Sequence, residues 1–449
     1  MTMVPRSSNV ISILLVGASS ITAATLGFDG SMMNGLNILP SYTDYFELNT
    51  TTKALNTASV YLGGCFVCMF YGPTYLAETL PLNWRAWGLG AFYDFWYVGG
   101  LIAAGVTYGT AQMESTWAWR LPSALQGVFS IVCIAILPFL PESPRWLVHK
   151  GRLDEALEVI ALTYADGDTA NPIALASYRE IIDTLNWERE AGETMTFLQM
   201  VKTPSSRKRT LLAVSVSVFV MLSGTMLDNA GITDSTTQLE INVILNAFCL
   251  CVAIGGTACL NKIGRKPLGA FSVGLLAIFI FMIGGLTSAF GESENTAGIY
   301  GTVAAIFLFQ GSYSFGLTPL TVLYPPEVLN FSIRSNGMAL YTQVGNLIGL
   351  VVTFTFPYMM EAIGWKTYMI NGAWDVLELV FILSFWVETK GKTLEEIDEV
   401  LDGTKHSRVP DLEDILRGKA DLSNVFEGID PAAANVKSTS AAVVTTKSD

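Results

Sequence analysis

The feature that most constrains this chain is a series of ten long apolar stretches, at about residues 10–27, 57–77, 86–108, 121–140, 210–226, 238–260, 268–290, 299–324, 335–358 and 367–387. None of them holds a lysine or arginine. A helix needs about 20 apolar residues to cross the hydrocarbon core of a bilayer. Backbone amides in hydrocarbon must find their partners within the segment, so each stretch is expected to be a transmembrane helix. Composition agrees: 51% of the 449 residues are hydrophobic and only 14% charged, against about 25% charged in a soluble domain. A charge at the centre of the core costs at least about 2.5 kcal/mol. The expected fold class is an all-α integral membrane protein of about ten transmembrane helices.

Composition also narrows the function. The net charge of −13 comes largely from acids in the hydrophilic segments 153–194 and 388–430, and no basic stripe with interleaved aromatics points to nucleic acid. Cys65, Cys68, Cys133, Cys249, Cys251 and Cys259 all lie in apolar runs and read as small buried hydrophobes. Cys65-x-x-Cys68 has the spacing of a redox or metal pair, but no histidine or second pair lies nearby. His149 and His406 stand far from any ligand cluster. No metal, cofactor or enzymatic activity is expected: there is no nucleophile–base pair and no phosphate loop.

Orientation follows from the basic residues. With the N-terminus in the cytoplasm, the outside loops hold only Lys53, Arg120 and Lys366, and the other 23 of the 26 basic residues fall inside. Both termini are therefore expected in the cytoplasm. Asn49-Thr50-Thr51 becomes an outside glycosylation acceptor, with Asn330-Phe331-Ser332 on the wrong side. Residues 1–9 read as a short cytoplasmic N-terminus and 10–140 as a first bundle of four spans. Residues 141–209 read as a cytoplasmic linker of short amphipathic helices and 210–387 as a second bundle of six spans. Residues 388–449 read as a cytoplasmic tail, disordered after about 425.

Two signatures occur twice. "PTYLAETLPLNWR" (73–85) is echoed by "PPEVLNFSIR" (325–334), and "PESPRWL" (141–147) by "VETKGKTL" (387–394). Glu78 to Glu327 is 249 residues and Glu142 to Glu388 is 246, so two parallel halves share one offset. In the second half a basic turn, Gly264-Arg265-Lys266, precedes Glu327 by 62 residues, with two spans between. The same step back from Glu78 reaches Val16, inside the first span. The first half thus has no basic turn and no room for two further spans. The span at 57–77 is expected to be a composite of the start of one ancestral helix and the end of another.

These motifs, with "GFDGSMMNG", "NKIGRKP", "YPPEVLNFSIRSNG" and "ETKGKTLEEID" in the same order, resemble the sugar porters of the major facilitator superfamily, close to the fungal hexose and lactose permease type. The resemblance covers nearly all of 10–400. It implies two helical bundles with a sugar bound between them near mid-membrane, often with proton symport, in the plasma membrane. The expected partners are a small-molecule sugar, protons and the lipid bilayer, for a monomer. Relatives have six helices in each bundle; this chain shows four and six. A gap of about eight residues also stands in the seventh-helix equivalent, where "FVMLSG" runs into "TMLDNAG". The 16 or so apolar residues left there span roughly 24 Å, short of a core of roughly 30 Å. Leu317 stands where a Trp is usual, and Asn261 where an Asp is usual.

The resemblance also assigns roles. Asp29 stands where proton-coupled relatives trade a proton between a carboxylate and an arginine on the fourth helix, which is missing here; it is otherwise a loop-edge acid in water. Asp94, well inside a span, either lines the cavity as a second proton-coupling group or bonds a neighbouring helix. Glu78, Arg85, Glu142, Arg145, Arg265, Glu327, Arg334 and Glu388 match the charge network that holds the cytoplasmic side closed. Asn346 is the leading sugar contact, with Gln310, Tyr313, Tyr93 and Trp374, because hydrogen bonds to hydroxyls set sugar specificity. Tyr93 stands where the fifth helix of relatives usually offers Gln or Asn. Two other readings remain: a non-transporting sugar sensor, and an incomplete gene prediction of a twelve-helix transporter.

Overall fold

A computed structural model describes residues 4–66, 71–190, 196–224, 235–290 and 296–403, and among them every regular element is helical. The first half holds α1 (Ser8–Ile38), α2 (Pro40–Thr43), α3 (Thr50–Phe66), α4 (Tyr71–Thr79), α5 (Leu82–Thr110) and α6 (Trp117–Ile136), which a 3-10 turn extends to Phe139. Short helices follow: α7 (Pro144–His149), α8 (Leu153–Tyr164), α9 (Pro172–Glu190) and α10 (Gln199–Lys202). The second half holds α11 (Pro204–Gly224), α12 (Ser235–Ile263), α13 (Arg265–Phe290), α14 (Thr296–Ser312), a π-helical segment (Tyr313–Leu317), α15 (Thr318–Val328), α16 (Phe331–Ile363) and α17 (Lys366–Phe385). The last described helix is α18 (Leu394–Asp402).

Eight of these helices are long and apolar enough to cross a membrane: α1, α5, α6 with its extension, α12, α13, the run from α14 to α15, α16 and α17. The other two expected spans fall on α3–α4 and on α11, which adjoin residues 67–70 and 225–234, outside the described set. The count of ten is therefore not reached among the described residues. Cys65 and Cys68, and the tail beyond 403, also lie outside what is described of side chains or backbone.

One boundary differs from expectation. The first helix does not stop at residue 27 but runs to Ile38, so Asp29 sits inside it and not at a loop edge. The residues after Asp29 hold no helix breaker before Pro40, and Phe28, Met32 and Leu36 are buried against α5 and α6. Leu39 is extended, as the residue before a proline prefers to be.

Small residues set the helix crossings. A Cβ on Gly27 would fall 2.0 Å from the Trp96 carbonyl oxygen, and one on Gly99 would fall 1.9 Å from that of Ala24. Glycine at both points lets the backbones of α1 and α5 touch. The two halves meet mainly along α5 with α12 and α3 with α16, and α15 also packs on α5 and α4. In the second pair the Tyr61 ring lies on Gly349.

The repeat is unequal on its outer flank. In the second half α17 packs along α13 and buries Thr367, Tyr368, Asn371, Gly372, Asp375, Glu378 and Ile382. Its first-half counterpart α6 leans only on α1 and α5 among the long helices and buries just Ala118 and Pro122. Among the described residues no helix lies beside α6 as α13 lies beside α17. The apolar side chains of α6, such as Ile131 and Ile134, are accordingly exposed.

Candidate functional site

The ends of α4, α11, α13, α15 and α16 meet α7 to α10 and α18 on one face, and the charged motifs gather there. Glu78 and Arg334 form an ion pair at 3.1 Å between the two halves. Arg334 also donates to the carbonyls of Pro326 (3.2 Å) and Leu329 (3.1 Å), the free carbonyl end of α15. The second carboxylate oxygen of Glu78 accepts from Ser143 at 2.5 Å, and Arg145 donates to the Glu78 backbone carbonyl at 3.0 Å.

Arg145 crosses to α18, where its Nε and Nη2 both reach Glu395 Oε1 at 2.9 and 2.5 Å. Burial alone would push the Glu395 carboxyl up, but Arg145, with Arg85 and Arg334 behind it, holds it below the ordinary glutamate value. Burial likewise works against the Arg145 guanidinium, and the charges of Glu395 and Glu78 outweigh it and hold its pKa above the usual arginine value.

In the second half Arg265 pairs with Glu327 at 2.9 Å, and Thr389 donates to the same carboxylate at 2.6 Å. Glu388 accepts from the backbone amides of Arg265 (3.0 Å) and Lys266 (3.1 Å), the first free donors of α13. A carboxylate there meets both orphan amides and the positive end of the helix dipole. Gly264 makes this possible: its φ is +101°, and a Cβ there would fall 2.6 Å from Glu388 Oε2.

The first half lacks the matching arrangement. Glu142, the repeat partner of Glu388, is exposed and lies near Tyr75 and Arg152. Arg85 is 3% exposed, yet its Nε and Nη1 have no hydrogen-bond partner. Seven of the eight predicted charges lie on this face in buried or partly buried contacts; Glu142 stands apart.

Sequence reasoning missed the α18 side of this layer. Arg209 is 2% exposed and bonds Asp398 (2.8 Å), Asp402 (2.6 Å) and the Val328 carbonyl (3.2 Å). Asp398 is pushed up to about 6, by burial first, with Arg209 pulling it down and the charges of Glu395 and Asp402 raising it. The signal was present: Glu395, Asp398 and Asp402 recur at helical spacing in "KTLEEIDEVLD" and share one face. Their partners are distant in sequence.

Nearer the middle of the bundle, polar and aromatic groups meet between the halves. The Ser314 and Tyr97 hydroxyls are hydrogen-bonded at 2.7 Å, with Tyr97 as donor because the Ser314 hydrogen goes to the Gln310 carbonyl, and Thr318 lies 3.3 Å from the Tyr97 oxygen. The π-helical turn that presents Ser314 comes just before Pro319, whose missing amide interrupts the helical hydrogen bonds. Tyr93 and Tyr313 come together here, close enough to Tyr61, Tyr97 and Tyr341 to interact electrostatically. Tyr93 stacks on Trp96 at 5.8 Å. Asn346 is half-buried between Gly345, against Ser217 of α11, and Gly349, under Tyr61. Gln310 is half-buried one turn before Ser314, whose hydroxyl bonds its carbonyl. Trp374 is apart from these, 37% exposed on α17.

The two acids proposed for proton coupling are both inside helices. Asp29 is partly buried on α1, with an Oδ1 that has no partner. Asp94 is 5% exposed on α5 and faces Thr257 of α12. Asn49 is exposed before α3 and caps it, accepting from the Thr52 amide at 2.9 Å. A groove of about 500 Å³ between α13 and α17 is lined by Phe271, Leu275, Ile278 and other apolar side chains, which cannot hydrogen-bond a sugar.

Comparison with known proteins matches this architecture. Residues 71–401 match the family described as "Sugar (and other) transporter". The chain is 26% identical to the MFS glucose transporter of Aspergillus flavus, over 94% of this chain and 97% of that protein. It is 30% identical to an MFS-type transporter of Aspergillus cristatus, over 74% of this chain and 69% of that one. Its fold resembles the MFS proton:xylose symporter XylE bound to 6-bromo-6-deoxy-D-glucose, with a TM-score of 0.63 at 20% identity, covering 87% of this chain and 89% of the other. The chain is thus a multi-pass helical membrane protein that belongs to the sugar porters of the major facilitator superfamily.

Proposed function

We propose that this chain is a carrier of a hexose or disaccharide, a sugar:proton symporter by descent, whose transport is weakened by a shortened first bundle. The observation that carries the reading is the Glu78–Arg334 ion pair, which ties the two halves at one face. Alternating access rocks one bundle against the other about a central site, so such pairs must form and break in each cycle. Glu78, Arg85, Arg145, Arg265, Glu327, Arg334 and Glu388 serve as this cytoplasmic gate, with Glu142 as a remnant of it. Asn346, Gln310, Tyr313 and Tyr93 supply sugar contacts, with Trp374 a peripheral one, and Asp29 and Asp94 carry the proton. The names of the relatives, a glucose transporter and a proton:xylose symporter, support a monosaccharide as the substrate class.

The weakening rests on the unequal repeat. Glu388 caps the start of α13, whereas Glu142 is exposed. The alignment with the A. flavus protein runs over 522 positions but takes up 94% of a 449-residue chain, so roughly 100 positions have no residue here. We read the first bundle as 10–140 with four spans, the linker as 141–209 and the second bundle as 210–387 with six. Both termini are cytoplasmic, Asn49 is outside, and the plasma membrane is the site of action.

Uptake of radiolabelled glucose, xylose and lactose by a transporter-null yeast tests this reading. Uptake well below that of the A. flavus relative at equal expression is expected, with sugar binding retained by the purified protein. Robust saturable uptake would sink the weakening, and no binding of any of the three sugars would sink the carrier reading. Sequencing the transcript distinguishes a shortened protein from a longer one.

A further inference from the structure

The second half buries two carboxylates that the transport reading does not use. Asp375 is 0% and Glu378 1% exposed, one turn apart on α17. Asp375 lies nine residues into the helix, about 14 Å along its axis. Ser223 of α11 reaches both: its Oγ is 3.0 Å from Asp375 Oδ1 and 3.0 Å from Glu378 Oε2.

The hydrogen count decides what this contact means. A serine hydroxyl has one hydrogen to donate, and an ionised carboxylate can only accept. Two ionised carboxylates cannot both bond Ser223 Oγ. The second contact is a hydrogen bond only if a carboxylic acid donates to the serine. Two adjacent ionised acids in a low-dielectric interior also repel each other strongly, which favours one shared proton.

No cation offsets them. Neither acid has an ion pair among the described residues. Three helices pack on α17: α13, α11 and α16. The charged residues of α13 are Arg265 and Lys266 at its start, and those of α11 are Arg207, Lys208 and Arg209 at its start. Those of α16 are Arg334 and Glu361, near its two ends. The phenols on these helices are engaged elsewhere: Tyr341 donates to the Thr321 carbonyl, and Tyr358 pairs with Thr51. On α17 itself the Trp374 indole N–H is a hydrogen-bond donor toward Glu378.

A second observation points to a ligand. Asn371, 4% exposed and one turn before Asp375 on the same buried stripe, has an amide nitrogen without an acceptor. Asp375 Oδ2 and Glu378 Oε1 are buried with no donor at hydrogen-bond distance among the described residues. Orphan donor and orphan acceptors within two turns match a small polar ligand.

We propose that Asp375, Glu378 and Ser223 form an intramembrane site that holds one proton between two carboxylates, in the half of the protein that kept all its helices. The site stands whether or not the chain transports sugar. Infrared spectroscopy of the full-length protein in lipid nanodiscs tests it. At neutral pH the wild type should show a carboxylic-acid carbonyl band that shifts in heavy water. Asp375→Asn with Glu378→Gln should remove that band, which separates it from any contribution of Asp29 or Asp94. Ser223→Ala keeps both acids and should move the band without removing it, and it serves where the double variant does not fold. Identical neutral spectra for wild type and double variant, or a band unmoved by Ser223→Ala, overturn the proposal. So does a wild-type unfolding temperature that rises with sodium, but not with potassium, and loses that response in Ser223→Ala, since the site would then hold a metal cation.

Discussion

Glu78 at the end of α4 and Arg334 at the start of α16 are 256 residues apart in sequence and 3.1 Å apart in space. Both are nearly buried, at 9% and 3% exposure. Breaking such a pair by removing one partner strands a buried charge, at a cost of about 3–5 kcal/mol. Glu78→Gln and Arg334→Gln should each lower the unfolding temperature of the detergent-solubilised protein. The double variant should lose less than the sum of the two. Additive losses would show that the residues act separately.

Arg265 and Arg85 are both buried arginines, with different surroundings. Arg265 bonds Glu327 through Nε and Nη2, while Arg85 has Nε and Nη1 without partners. Arg265→Gln should therefore cost about 3–5 kcal/mol, and Arg85→Gln clearly less. Thermal unfolding followed by tryptophan fluorescence reads both. Equal losses would mean that the two halves are balanced at this layer.

Asp398 gives the pH dependence a sign. Its pKa is raised to about 6 in the folded protein, against about 3.9 for a free aspartate. Its contribution to stability is therefore fully present below about pH 4 and is lost as pH rises through about 6. Asp398→Asn stays neutral throughout and keeps its shape. Its unfolding temperature relative to wild type should climb between pH 4 and 6 and level off above. Glu395 acts in the opposite sense: its pKa is held down, so its contribution is present above about pH 4.5 and falls away as pH drops through its lowered value.

Thr393 caps α18 through a reciprocal pair of bonds with Glu396, and its hydroxyl lies 3.1 Å from a Glu180 carboxylate oxygen on α9. Thr393→Ala removes the side-chain cap at a cost of about 1 kcal/mol. It should also loosen α18 from the bundle, read as faster proteolysis after Lys390 or Lys392. Unchanged digestion would mean that the Arg145–Glu395 and Arg209 contacts hold α18 alone.

Much of this was legible before any coordinates. Eight apolar stretches marked eight helices, because about 20 predominantly apolar residues without lysine or arginine have few stable options other than spanning a bilayer. The family resemblance grouped Arg265 and Glu327 in one charge network, and the structure brings them to 2.9 Å. Legibility ended where the answer depended on neighbours. Asp29 read as a loop-edge acid because its own residues resemble a helix end, yet packing on α5 and α6 carries α1 on to Ile38. Trp374 reads as a weaker sugar-contact candidate from its chemistry, but only the rotation of α17 shows that it is 37% exposed while Asp375 next to it is buried.

The sequence by itself determined the membrane class and the repeated motifs, because hydrophobic length and motif spacing are properties of the chain alone. Only the tertiary structure decided which charge meets which. Glu388 caps a helix while its repeat partner Glu142 stands exposed, and Ser223 sits between two acids on another helix. A hydrogen bond or ion pair reaches only about 3 Å. Which groups come within that distance is set by how the helices cross, and one-letter spacing does not encode that.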